Sequence, residues 1–446
     1  MSTAAATRPA RARRTRPASP EADFLPVHVA EVELSRPLPD LPAGGEAAWV
    51  LVRLHTEPLG VVRTRLSEAG LPAQDLADLV WARLYRPIID RLDRAGVPAP
   101  VRLKAEGLDL APQRSPFLRE RREILSAAPS VTVVVCTRDR ADRLGTCLES
   151  LARQDYPSYD VVVVDNAPRD DTVQSLVRDR HPQPPWRYVR EPRAGLSRAR
   201  NTGARHARGR IVAFLDDDET PDEHWLAELA RGFATGPDVG CVSGMIVPRR
   251  LDTSAQDLFE RLGGHCKGRG FEPAVFTGDG PQSPLYPLPP FGTGGNMAFR
   301  REVLRGIGRF DEALGAGTPA LAGEDTLAIT RVLLAGHRVV YQPTALVRHD
   351  HRVDPVALAE QLRGYRVGLT AYYSALVRDQ PSLLLPLLRL LPRGLWDLYG
   401  GAAARPAEPA GRSSTPSRRG GLLVGPVAYA RGRRALRRDS GPEGPR

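Results

Sequence analysis

The strongest constraint on the fold is a pair of uninterrupted β-branched runs, each ending abruptly in polar residues. Val131–Cys136 (VTVVVC) and Asp160–Val164 (DVVVV) show no alternation of apolar and polar positions. A strand with one wet face would alternate, so both runs are expected to be buried on both faces, as in a parallel sheet covered by helices. Between and after them the pattern changes to helical spacing. Leu144, Cys147, Leu148 and Leu151 share one face, and Thr172–Arg180 reads as a second helix. Trp186–Arg190 is a short third strand, Ser197–Ala207 a helix, Arg210–Leu215 (RIVAFL) a fourth strand, and His224–Phe233 another helix. This alternation predicts an α/β class with an open, mostly parallel sheet and helices on both faces.

Ligands of such sheets sit beyond the carboxyl ends of the strands. The residues there are Thr137-Arg138-Asp139-Arg140, Asp165-Asn166 and Asp216-Asp217-Asp218-Glu219. No Gly-x-Gly-x-x-Gly follows the first strand and no Gly-x4-Gly-Lys-Ser/Thr occurs, which disfavours dinucleotide oxidoreductases and P-loop triphosphatases. Four consecutive acids after a buried strand repel one another unless compensated. A hard divalent cation, Mn²⁺ or Mg²⁺, prefers carboxylate oxygens and would also bridge to phosphates. Capping of the next helix by Thr220 or Asp222 beside Pro221 accounts for a polar loop but not for the cluster.

Charge narrows the choice of partners. The formal charge is +11 over 446 residues, but residues 1–20 hold +5 and residues 401–446 hold +7, leaving the body at −1. A basic nucleic-acid-binding body is therefore excluded as an expectation. All but Lys104 and Lys267 of the basic residues are Arg, and with 42 Pro and 41 Gly this indicates GC-rich coding bias before function. Cys136, Cys147, Cys241 and Cys266 are widely spaced, which argues against a disulfide framework and for a reducing compartment. The N-terminus has no signal-peptide h-region, and no stretch is long and apolar enough to span a bilayer; Leu383–Leu391 is interrupted by Pro386 and Arg389.

The expected organisation is a disordered basic arm (1–26), a small accessory α+β domain (27–105), a charged helical connector (106–130), a catalytic domain (131–352), a helical extension (353–400) and a basic low-complexity tail (401–446). In the accessory segment, Ala48–His55 reads as a strand and Asp75–Ala95 as a helix kinked or divided at Pro87. In the tail, the apolar patch Gly421–Ala430 beside Arg431, Arg433, Arg434, Arg437 and Arg438 suits peripheral contact with an anionic membrane as well as packing against the protein.

Residues 130–352 resemble a family 2 glycosyltransferase of GT-A fold. The resemblance rests on VTVVVCTRDR (131–140), VVVVDN (161–166), RAGLSRARNTG (193–203), AFLDDDETP (213–221) and GED (323–325) in that order, about half the chain. It implies an inverting enzyme that moves a sugar from a nucleotide-sugar donor to a hydroxyl of a glycan or lipid-linked acceptor, in cell-envelope or polysaccharide synthesis. Asp218, Asp216 and His349 would hold the metal, His351 lying two residues beyond. Thr137, Asp139, Asp165, Arg193, Arg200 and Asp216 would bind the nucleotide. Gly294, Gly295 and Asn296, in the turn-prone segment PPFGTGGNMAF, would form the donor-sugar loop. Asp325 would be the general base, with Glu324 positioning the acceptor. The implied location is cytoplasmic, with peripheral contact at the inner face of the membrane. The competing readings are a nucleotidyltransferase using the same carboxylates and a non-catalytic glycan-binding scaffold.

Overall fold

The computed structural model describes residues 26–180, 186–266, 268–280, 283–399 and 421–439. The chain first builds a small sheet from Val27–Glu33 (β1), Ala47–Leu54 (β2) and Glu57–Arg65 (β3), with β2 central, parallel to β1 and antiparallel to β3. Helix Ala73–Arg94 (α1) covers it, and Leu76, Val80, Ile88 and Leu92 share a core with Val50, Val52 and Val62. Pro87 acts one turn upstream of itself. Its ring crowds the carbonyl four residues earlier, and the helix leaves helical geometry at Leu84 (φ −121°, ψ 19°).

Trp49 and Leu51 point the other way and join Met245, Val247, Leu251 and Leu346 in a second apolar cluster. The small sheet is thereby docked on the large one. A buried ionic contact reinforces this: Arg53 Nη1 lies 2.7 Å from Asp222 Oδ2, and Arg348 reaches the same oxygen at 3.3 Å. Burial alone would raise the Asp222 carboxyl, but Arg53 outweighs it and holds it at about 2. The stability this contributes is present above the ordinary carboxylate range and is lost as pH falls toward about 2. Arg53→Met should therefore destabilise the protein by about 3 kcal/mol, the low end for a broken buried pair because Arg348 remains. Thermal melts of wild type and variant at neutral pH measure this.

The connector is less helical than expected. Pro116–Ser126 (α2), capped by Ser115 at Leu118 N (3.3 Å), is its one α-helix, after a 3-10 turn at Pro112–Arg114, and Leu108 and Leu110 instead complete the accessory core.

The large sheet starts at Val131–Thr137 (β4), followed by Ala141–Leu151 (α3), Tyr159–Asn166 (β5), Thr172–Arg180 (α4) and Trp186–Glu191 (β6). Leu196–His206 (α5), Ile211–Asp216 (β7), Glu219–Pro221 (β8), Trp225–Ala234 (α6) and Val239–Pro248 (β9) come next. Ser254–Arg261 (α7), Ala274–Phe276 (β10), Asn296–Arg300 (β11), Arg301–Gly306 (α8), Glu324–Leu334 (α9) and Arg338–His349 (β12) complete it. The strand order is β10-β12-β9-β11-β7-β4-β5-β6, with β8 paired to β12. The half β7-β4-β5-β6 is parallel throughout, and β11 runs antiparallel to both β7 and β9.

The missing alternation in β4 and β5 is now explained. Val133, Val135, Val161 and Val163 face α3 and α6 residues such as Leu144, Leu148 and Leu226. Val134, Val162 and Val164 lie under α5 at Ala199, in an apolar layer that continues to Ala328, Ile329 and Val332 of α9. Strand β9 gives no comparable sequence signal, because Gly240, Gly244 and Pro248 punctuate it. Gly244 is needed there, since a Cβ would overlap the Ala345 carbonyl and the Asn296 amide. The apolar segments Val339–Gln342 and Leu346–His349 are parts of one strand, β12, joined across a register shift between Gln342 and Leu346.

Beyond the sheet, Pro355–Asp379 (α10) buries Leu358, Val367, Ala371, Tyr372 and Leu376. Leu384–Tyr399 (α11) is two-faced. Leu387 and Leu390 pack inward, whereas Leu384, Leu385, Leu388 and Leu391 are exposed. The stretch expected to be a low-complexity tail contains a helix, Gly421–Asp439 (α12). Gly425 permits its close approach to α10, Gly432 its approach to Ala313, and Tyr429 donates to Asp311 Oδ2 at 2.7 Å. Part of the apolar patch is thus spent on the protein itself, leaving Val424 and Val427 exposed. The arm before Pro26 and residues 400–420 and 440–446 lie outside the described residues. Among the described residues, no helix is long and apolar enough to cross a membrane.

Candidate active site

Strand register brings the polar strand ends to one rim. Thr137 of β4 is paired with Asp165 of β5, and Cys136 with Asp216 of β7. The short β8–β12 pairing sets Glu219 opposite His349, while Asp350 N donates to the Asp218 carbonyl at 3.2 Å. The C-terminal histidine segment therefore reaches the acidic turn although more than a hundred residues separate them.

Within that turn the four acids have different surroundings. Asp217 is buried, accepting from Thr137 Oγ1 at 2.7 Å and Arg140 Nη1 at 3.2 Å. Burial and the neighbouring Asp218 push its carboxyl up to about 6. Asp218 Oδ2 lies 3.4 Å from Arg140 and 3.2 Å from Arg143, and its Oδ1 is 3.5 Å from His349 Nε2. Glu219 accepts from Asp216 N at 3.2 Å, and burial beside Asp216 holds it well above the usual carboxylate range. Asp216 is raised by burial, with Arg200 opposing. A hard divalent cation would relieve this crowding by stabilising the ionised forms. Asp218 Oδ1 and His349 Nε2, 3.5 Å apart, are donors of a kind such an ion accepts, and Asp216 stands two positions earlier in the same turn. Burial keeps His349 down to about 4, hence neutral at neutral pH.

Arg200 is fully buried and gathers the rest of the crevice. It lies 2.8 Å from Glu324 Oε1 and 3.2 Å from Asp216 Oδ1, and donates to the Gly294 carbonyl at 3.1 Å. Asp325 accepts from Gly294 N at 2.7 Å and from Thr326 N at 2.6 Å. Asp216, Gly294, Glu324 and Asp325 therefore surround one guanidinium. A Cβ at Gly294 would lie 3.0 Å from both Arg200 and Asp325, and one at Gly295 would overlap the Glu219 carboxylate. The two glycines thus let the 292–295 loop close over the acids.

Glu324 has its Oε2 buried without a hydrogen-bond partner among the described residues, and burial together with Asp325 pushes its carboxyl up to about 7. The folded state then keeps a proton that the unfolded chain releases, so this group's contribution to stability falls as pH rises from about 4.5 to about 7. Glu324→Gln should flatten the dependence of melting temperature on pH across that window. Parallel melting curves for the two proteins would reveal an unchanged slope if the proton is not held.

Asp165 is buried at the end of β5. Its Oδ2 accepts from Tyr188 at 2.9 Å, and its Oδ1 has no hydrogen-bond partner among the described residues. Burial raises its carboxyl. Asp139 sits in a left-handed turn (φ 54°) and pairs with Arg169 at 3.2 Å. Arg193 is half-exposed and turns to Glu191 at 3.3 Å.

Three assignments made from sequence change. Asn296 does not face a sugar. Its Nδ2 donates to the Met245 and Ala345 carbonyls at 2.9 and 2.8 Å, and its Oδ1 accepts from Trp225 at 2.9 Å, so its polar atoms join β9, β12 and α6. Arg200 is held by carboxylates rather than standing free for a base. The Thr137 hydroxyl is committed to Asp217. Sequence reading also passed over Arg140 and Arg143, which face Asp218, and His265, which reaches His349 and His351 from a loop after α7. For the arginines the signal was their position just after a strand end; for His265 there was none.

The model of glycosyl transferase family 2 matches residues 132–308. ExoM, a succinoglycan biosynthesis protein of Rhizobium meliloti, is 30% identical over 255 residues, covering 54% of this chain and 73% of ExoM. The chain belongs to glycosyltransferase family 2. A second family relative, the glucosyl-dolichyl phosphate glucuronosyltransferase of Haloferax volcanii, is 28% identical over 229 residues, 49% of this chain and 68% of that protein. Among solved structures, a mannosyltransferase from Pyrobaculum calidifontis in complex with GDP-Man and Mn²⁺ is 24% identical with a TM-score of 0.43, covering 74% of this chain and 94% of that one. Family membership makes the protein a glycosyltransferase, and its mixed sheet has the α/β architecture expected from its strands. The family match ends before Glu324 and does not reach Asp325 or His349.

Proposed function

We propose that this glycosyltransferase transfers a sugar from a nucleoside-diphosphate donor to an acceptor hydroxyl with inversion, in the synthesis of a cell-envelope glycan, polysaccharide or glycolipid. The observation that carries the reading is the shared guanidinium of Arg200, which links the carboxylate at the donor-side strand end, Asp216, to the glycine loop that Asp325 holds. That shared contact supports a reading in which Asp216, Glu324 and Asp325 act on one bound donor and acceptor.

Asp218, Asp216 and His349 are the residues that would hold Mn²⁺ or Mg²⁺, and a bound ion would supply charge neutralisation for the departing diphosphate. Asp165, whose buried Oδ1 has no hydrogen-bond partner among the described residues, would accept a hydrogen bond from the base edge. Asp139 and Arg193 sit at the same rim and would contact the ribose or phosphate. Asp325 would take the acceptor proton. Its two backbone hydrogen bonds fix the orientation of the carboxylate, which matters because a carboxylate is a weak base in water. Glu324 would hold Arg200 in place and orient the acceptor side.

A lipid-linked or glycan acceptor agrees with the exposed leucines of α11 and the arginines of α12, which would favour an anionic membrane surface. Calorimetry of a nucleotide-sugar panel with and without Mn²⁺ tests the donor reading. A single class of nucleotide sugar should bind with metal-enhanced affinity, and uniform indifference to every donor would count against it.

A further inference from the structure

The structure places three histidines together on the side of His349 that faces away from the acidic turn. We infer that His265, His349 and His351 form a binding site for a transition-metal ion of zinc or cobalt type, distinct from the carboxylate site at Asp218. One nitrogen from each ring lies within 4.8 Å of the others. His349 and His351 stand two residues apart at the end of β12, on one side of the extended chain, with their Nδ1 atoms 2.9 Å apart. His265 arrives from the loop after α7, its ring centroid 4.6 Å from that of His349. Nitrogens bound to one zinc ion at about 2.0–2.1 Å sit roughly 3.3 Å apart, so small side-chain shifts bring the three rings to a common centre.

The outward nitrogens support this. His351 Nε2 is 3.2 Å from Glu260 Oε2, and His349 Nε2 is 3.5 Å from Asp218 Oδ1. With the Nε2 proton of His351 directed at Glu260, its Nδ1 lone pair faces His349 Nδ1. A proton on His349 Nδ1 satisfies that contact in the metal-free protein, and a metal ion bound to both rings would displace it. The Glu260 carboxylate behind His351 is also the arrangement that orients a metal-bound histidine. Phe259 packs edge-on against His265 and His351, with centroids 5.1 and 4.9 Å away, and shields the cluster.

An all-imidazole set selects zinc, cobalt, nickel or copper, whereas the carboxylate turn next door suits magnesium or manganese. A neutral imidazole has one lone pair, so the two ions compete for His349. The site does not depend on the transferase reading, since it is defined by metal alone.

The test is Co²⁺ and Zn²⁺ binding to the metal-stripped full chain. Cobalt absorption reports the ligand field, and the melting temperature reports stabilisation. Wild type should bind one equivalent of Co²⁺ with visible absorption and melt higher with Zn²⁺. His265→Ala, at a half-buried loop position, should lose both while keeping the wild-type circular dichroism. Glu260→Gln should weaken binding by about 10–100-fold, and Asp218→Ala should retain it. Absence of Co²⁺ binding by wild type overturns the proposal. So does binding that survives His265→Ala and disappears in Asp218→Ala, which would mean that His349 serves only the carboxylate site.

Discussion

Asp325→Asn should reduce sugar transfer by about 10²–10⁴-fold, the usual contribution of a positioned proton acceptor, while nucleotide-sugar binding stays near wild type. The amide has nearly the same shape but no basic lone pair for an acceptor hydroxyl. It also has one acceptor oxygen where the carboxylate uses two, for Gly294 N and for Thr326 N. One backbone N–H then loses its partner, at a cost on the order of 1–2 kcal/mol. A modest fall in melting temperature should accompany the kinetic loss. Donor calorimetry separates the effects: intact binding with lost turnover supports a general base, whereas unchanged turnover removes Asp325 from the mechanism.

The second large effect belongs to Asp218→Ala. Donor affinity should lose its dependence on Mn²⁺, because the carboxylate best placed between His349 and the open rim is gone. The metal-free protein should not be destabilised in proportion. Asp218 raises the carboxyl of the buried Asp217, so its removal relieves repulsion even as Arg140 and Arg143 lose a partner. Calorimetry with Mn²⁺ and nucleotide sugar should therefore show a binding defect in a protein that melts close to wild type. A retained metal enhancement would shift the ion to Asp216 and Glu219.

The parallel half of the sheet was legible in the sequence for a physical reason. Strands buried on both faces need apolar residues at every position, and β4 and β5 have them. The acids at Asp216–Glu219 were legible because so dense a charge at a strand end has few explanations. What remained hidden depends on long-range contact. Strand β9 carries glycines because β12 and Asn296 approach it closely, and nothing local in Gly240–Pro248 signals that. Asn296 looked like part of a sugar loop until its three hydrogen bonds to distant elements accounted for its polar atoms. Arg200 resembled any arginine of an arginine-rich chain. Its burial between Asp216 and Glu324 follows from tertiary packing of α5 against α9, which sequence spacing does not encode. His265 is separated from His349 by 84 positions and shares no motif with it.

In the proposed reaction the carboxylate crevice cleaves a nucleotide sugar at its anomeric carbon. Phosphorus NMR of the nucleotide product, collected with the panel donor that binds and with Mn²⁺ present, tests this most directly. Release of nucleoside diphosphate that requires the metal and disappears in Asp325→Asn is the predicted result. Release of pyrophosphate or nucleoside monophosphate, or metal-independent release that survives Asp325→Asn, would contradict it.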